Sequence, residues 1–249
     1  MKLTHVTFTG VDHQTSLPQL ISLATRYPLS EWGFLYSPKR QSMPGRYPSV
    51  GALQSALLYL SPKVRVALHI CGAGVTDLLA GEQTVTELVD LVQQRSGRVQ
   101  LNFNLADRPG EKSSRKPDLD LLRCFVASRQ SLTVITQHHH ANLAVHEALR
   151  QYVNHAVLFD TSGGNGGTPA EWPKPLSGTA CGYAGGLGPE TIGQALPEIA
   201  TACVDASIWV DMEGRLRTVD DVGDDWLSLD RCEQVLAKVP RHLYWQGVA

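Results

Sequence analysis

The chain carries no excess of charge: 22 Lys and Arg stand against 24 Asp and Glu, leaving −2 with neutral histidines. That balance gives nucleic acid or an acidic membrane surface no electrostatic hold, and no basic stripe or amphipathic tail supplies one locally. No apolar run approaches the roughly 18 residues needed to span a bilayer. The first residues enter a strand-like segment at once, so no signal peptide is expected. Cys71, Cys124, Cys181, Cys203 and Cys232 are scattered, odd in number and without a Cys-x-x-Cys pair. The expectation is a cytoplasmic protein with reduced thiols and no disulfide framework.

What is present is an alternation. Short β-rich runs recur at His5–Gly10, Trp32–Ser37, Val64–Ile70, Val99–Asn104, Leu132–Gln137, Ala156–Asp160, Cys181–Ala184 and Ser207–Asp211. They are nearly continuous apolar runs, as strands covered on both faces are. Between them lie sets at helical spacing: Leu17, Leu20, Ile21 and Ala24; Val145, Ala148, Leu149 and Tyr152; Ile192, Ala195, Leu196 and Ile199; Cys232, Val235, Leu236 and Val239. Val50, Leu53 and Leu57, then Val85, Leu88 and Val89, then Leu119, Leu122 and Val126 repeat it less completely. Eight rounds of strand and helix in 249 residues predict a single-domain (β/α)8 TIM barrel over residues 1–249, with an open doubly wound sheet as the structural rival. Pro169, Pro173 and Pro175 leave little room for a helix between strands six and seven. The polar stretch Asp107–Lys116 reads as a solvated insertion.

Two segments carry chemical information. Leu158-Phe-Asp160 runs into the glycine-rich stretch ending at Thr168, and Tyr183-Ala-Gly-Gly186 runs into Leu-Gly-Pro189-Glu190. Each reads as a buried strand opening into a polar or glycine-rich turn, with a carboxylate at the first mouth and bare backbone at the second. In a TIM barrel that is the C-terminal face, where the chemistry sits. Pro189-Glu190 reads as the first turn of the following helix.

At this point the chain resembles the phosphoribosylanthranilate isomerase family. Phe8-Thr9-Gly10-Val11 falls where that family has a Phe/Ile-Cys-Gly-Ile/Leu turn after strand one. Gly33-Phe34, Pro38-Lys39 and Arg46-Tyr47 resemble its Gly-Phe and Pro-Lys-Ser-Pro-Arg-Tyr segment, with about four extra loop residues. Val99-Gln100-Leu101, Phe159-Asp160-Thr161, Gly166-Gly167-Thr168, Glu171-Trp172 and Val210-Asp211 resemble further signatures in the same order. Ala184-Gly185-Gly186-Leu187-x-Pro189-Glu190 matches the strand-seven signature closely.

The resemblance implies an Amadori rearrangement of an N-linked aminoaldose phosphate to an aminoketose. An acid opens the furanose ring and a base takes the C2 proton. It further implies Asp160 as general acid, since desolvation at an apolar rim can keep a carboxyl group protonated. It puts Arg46 at the position that grips the anthranilate carboxylate, with Arg40 as competitor, and adds Gln100 to the substrate-binding set. Gly185 and Gly186 fall at the phosphate site, joined by Gly214 and Arg215 after strand eight. There the family's Ser-Ser-Gly turn becomes Met212-Glu213-Gly214-Arg215, so that Glu213 would repel a phosphate and Arg215 would attract one.

Thr9 is the departure. It occupies the place of the family's cysteine base, and its hydroxyl does not ionise near neutral pH as a tuned thiol does. Asp12, His69 and Cys71 are the candidate replacements. The expected ligand is a small phosphorylated sugar or anthranilate-type molecule, with no cofactor, metal, nucleic acid or membrane partner and no oligomeric state fixed by the sequence. Two other readings stay open. The run His138-His139-His140, with His69, Asn102, Asn104, Asp160 and Asp211, would serve a metal-dependent epimerase or hydrolase. A barrel that keeps the anion site and lacks the base would bind a phosphoryl ligand without turnover.

Overall fold

The computed structural model describes residues 1–43, 45–105, 116–160, 166–219, 221, 223 and 225–244. Eight parallel strands close on themselves in chain order: β1 (Lys2–Thr9), β2 (Ser30–Tyr36), β3 (Arg65–Cys71), β4 (Arg98–Asn102), β5 (Thr133–His138), β6 (His155–Phe159), β7 (Ala180–Ala184) and β8 (Ser207–Met212). All eight apolar runs are strands, and the barrel closes where β1 pairs with β8, Thr7 beside Asp211 and Phe8 beside Met212. The TIM barrel is therefore the observed fold, and the open sheet is not.

Helices α1 (Leu17–Arg26), α2 (Val50–Tyr59), α3 (Ala73–Leu79), α4 (Gln83–Gln94), α5 (Leu119–Ser128), α6 (Leu143–Leu149), α7 (Ile192–Ala202) and α8 (Leu229–Lys238) cover the outside. Their apolar stripes, such as Val85, Leu88, Val89 and Val92 on α4, are fully buried against the strands. Ser49, Asp118 and Ser228 accept amide hydrogen bonds at the starts of α2, α5 and α8, which satisfies donors with no partner inside those helices.

The structure departs from the sequence reading in four places. Two helices, not one, link β3 to β4; the seven-residue α3 is too short to display a period. α6 stops at Leu149, and Tyr152 belongs to the turn beyond it. Pro189 and Glu190 sit in a turn, and α7 begins only at Ile192. A short antiparallel hairpin, β9 (Arg217–Val219) with β10 (Asp225–Leu227), follows β8. Between β6 and β7 no helix occurs among the described residues, as the prolines require. Residues 107–115 of the proposed insertion lie outside the described residues, as do 161–165.

The barrel lumen is polar at its lower level. Arg98 of β4 donates through Nε to Glu31 Oε2 of β2 at 2.8 Å and through Nη2 to Thr7 Oγ1 of β1 at 3.2 Å. β4 neighbours neither strand in the sheet, so these bonds cross the interior. Arg98 also lies 4.5 Å from the Trp209 ring centroid. Trp209 fits because position 182 is glycine: a Cβ there would come within 2.1 Å of its indole ring.

Candidate active site

One level higher, at the C-terminal ends of the strands, a cavity of about 350 Å3 opens. A larger one, about 1010 Å3, lies at the opposite end between the start of β1, α1 and α8; its lining, which includes Lys2, His5, Arg26, Arg65 and Arg241, contains no carboxylate among the described residues. The convergent acids and amides belong to the smaller cavity. Thr9, Arg46, Gln100, Asp160, Gly185, Gly186, Gly214 and Arg215 all line it, together with His69, Asn102, Gln137, Asp211 and Glu213. These eight expected site residues thus share one cavity, whereas Arg40 does not line it.

Asp160 stands one residue beyond β6, buried, with Oδ2 accepting a 3.1 Å hydrogen bond from Gln137 Nε2 of β5. Asp211, at the end of β8, is the second acid. Its Oδ1 accepts a 2.7 Å bond from the Thr9 hydroxyl, and Thr9 Oγ1 lies 3.4 Å from His69 Nε2. Gly33 makes this placement possible, because a Cβ at that position would sit 2.7 Å from Thr9 Oγ1. Burial pushes the Asp211 carboxyl up to about 7, against the lowering effect of the Thr9 hydrogen bond; the Glu31 charge adds to the rise.

The three candidate replacements for the base have other circumstances. Burial lowers His69 to about 4, so its imidazole is neutral and a poor proton acceptor. Burial raises the Cys71 thiol to about 11, too high for a thiolate at neutral pH. Asp12 is consumed by structure: Oδ1 accepts from the Gln14 amide and the Thr15 hydroxyl, and Oδ2 from the Leu227 amide and Arg217 Nη2. Sequence reasoning gave Asp211 no acid–base role. The signal was the one that marked Asp160: a carboxylate ending an apolar strand.

At the β7 turn, Gly185 and Gly186 have φ of +114° and +64°, conformations that favour glycine. Side chains there would also collide with Gly167 O and Thr168 Oγ1. The turn therefore presents bare backbone to the cavity and packs on the loop after β6. Arg215, from the β8 turn, lays its stem over Gly188, whose Cβ would meet Arg215 Cβ at 2.5 Å. Its side chain makes no ion pair among the described residues. Gln100 Nε2 donates to Asn102 Oδ1 at 2.9 Å.

Arg46 reaches the cavity already paired. Nε and Nη2 donate to Asp225 Oδ2 at 2.9 and 2.6 Å, and Nη1 donates to Glu213 Oε1 at 2.7 Å. Arg40, the competitor, is exposed beside Tyr47 and outside the cavity lining. The histidine run does not face the cavity either. His138 packs against Phe159 and His146, with centroids 5.2 and 5.5 Å away, His139 Nδ1 accepts from the Ala141 amide, and His140 is exposed. Among the described residues no three His, Cys, Asp or Glu side chains are placed to hold a metal ion.

No protein-family model matches the chain, and no curated protein matches its sequence. Solved structures do. Phosphoribosylanthranilate isomerase from Thermotoga maritima is 18% identical, with a TM-score of 0.56 over 95% of this chain and 98% of that one. The Thermus thermophilus enzyme is 18% identical with a TM-score of 0.57, over 94% and 97% of the two chains. A third structure, 17% identical with a TM-score of 0.56 over 95% and 98%, is that isomerase in complex with reduced 1-(o-carboxyphenylamino)-1-deoxyribulose 5-phosphate. At such identities the likeness establishes the fold: a (β/α)8 barrel of the phosphoribosylanthranilate isomerase type.

Proposed function

We propose that this barrel isomerises an N-linked aldose phosphate to the corresponding aminoketose, with Asp160 as general acid and Asp211 as general base. The observation that carries the reading is the pair of buried carboxylates at the ends of β6 and β8, flanking the β7 turn whose Gly185 and Gly186 can receive a phosphate with Arg215 beside them. Protonation of the ring oxygen by Asp160 breaks its bond to C1 and leaves a Schiff base. Removal of the C2 proton by Asp211 gives an enolamine, which tautomerises to the ketone. A carboxyl group near 7 suits the second task, because such a base is substantially ionised at neutral pH yet basic enough to accept a proton. Thr9 then acts as a positioning residue, its hydroxyl orienting Asp211. The five unpaired cysteines fit a reducing, cytoplasmic setting.

The test is conversion of freshly prepared N-ribosylamine 5-phosphates, the N-phenyl and N-(2-carboxyphenyl) compounds, followed by NMR of the ketosamine C1 protons. Asp160→Asn is expected to lose about 10²–10⁴-fold in rate with the fold intact. Full activity in that variant removes Asp160 from the mechanism. Phosphate-dependent stabilisation of the wild type without conversion would identify a binding barrel instead.

A further inference from the structure

At the cavity's β8–β10 edge, Arg46 is already paired with two acids. Asp225 takes two of its N–H groups and Glu213 a third, at 2.6 to 2.9 Å. Asp225 also accepts from Arg217, which binds Asp12 as well. The cluster therefore sets two guanidiniums, Arg46 and Arg217, against three carboxylates, Asp12, Glu213 and Asp225. Burial works against the Asp225 charge, yet Arg46 and Arg217 outweigh it and hold that carboxyl below its ordinary range. Arg215, by contrast, is exposed beside the β7 turn and makes no ion pair among the described residues.

A ligand carboxylate arriving at Arg46 would have to displace Glu213 or Asp225 and would face both. The displaced acid would remain partly buried without its partner. An anion arriving at Arg215 and the glycine turn breaks no ion pair among the described residues. We propose that the cavity takes a sugar phosphate with a single anionic group, whose nitrogen substituent is neutral or cationic and not a carboxylated ring. The inference rests on the sugar-phosphate reading above and narrows its substrate class, with Glu213 as the specificity-determining residue.

Calorimetric binding of two non-reacting ligands tests it: the reduced N-phenyl and N-(2-carboxyphenyl) forms of 1-amino-1-deoxyribulose 5-phosphate. The wild type is expected to bind the phenyl compound at least about tenfold more tightly. Glu213→Gln, at a part-exposed side chain, removes the charge that holds Arg46 Nη1 and is expected to narrow or reverse the ratio. Equal or tighter wild-type binding of the carboxyphenyl compound overturns the inference and leaves the sugar-phosphate reading standing. If neither compound nor ribose 5-phosphate binds, both fall.

Discussion

At Asp211 the proposed base role works against stability. Its carboxyl is raised to about 7 in the fold, from 3.8 in an open chain, so the folded state binds more protons between those values. The cost of ionising it is absent below about pH 4 and complete above pH 7. Asp211→Asn is therefore expected to abolish turnover while raising stability by a few kcal/mol at pH 8 and hardly at all at pH 4; thermal melts at the two pH values check this. Thr9→Val removes the hydrogen bond that opposes the rise, so the acidic limb of kcat/KM is expected to move to higher pH. A purely structural Thr9 would leave that limb in place. The sequence displays Asp160 and Asp211 equally well, each closing an apolar strand. It cannot display the Thr9–Asp211 bond, which joins residues 202 positions apart through barrel closure.

Elements decide what those residues face. The strands were legible because parallel strands buried on both sides need unbroken apolar runs, and eight such runs are present. The β9–β10 hairpin was not, since strands of three residues with burial from one side carry no pattern. With the hairpin went the partner of Arg46: Asp225 lies 179 positions away, and nothing local marks the pair. The inner face of β2 and β4 offers a separate test. Arg98 outweighs the burial penalty on Glu31 and holds it at about 2, in an ion pair sealed below the cavity. Glu31→Gln leaves a buried guanidinium without its counter-charge and is expected to cost about 3–5 kcal/mol. Denaturant unfolding measures this directly, and a loss below about 1 kcal/mol would show that Trp209 and Thr7 suffice to hold Arg98.

For the whole molecule, the buried histidines set the acid limit. Burial lowers His5 and His69 to about 4 and His155 to about 3, so all three are neutral in the fold and protonate readily only when it opens. Their contribution is full above about pH 6.5 and is lost as pH falls toward 4. Relief at Asp211 opposes this over part of the range but is one group against three. Glu31 adds a further loss below about pH 4.5. The melting temperature is expected to fall steadily from pH 6.5 to 4, and His155→Gln to flatten that slope. A barrel of this kind admits many activities, so its likeness to phosphoribosylanthranilate isomerases leaves the reaction to the cavity residues. In the proposed function Asp160 and Asp211 work as an acid–base pair on an N-linked sugar phosphate. The measurement that tests it most directly is the pH dependence of kcat/KM for ketosamine formation from N-phenylribosylamine 5-phosphate, in the wild type and in Asp211→Asn. Wild-type activity is expected to rise through a pKa near 7 and to vanish in the variant; turnover retained by Asp211→Asn would show that another group is the base.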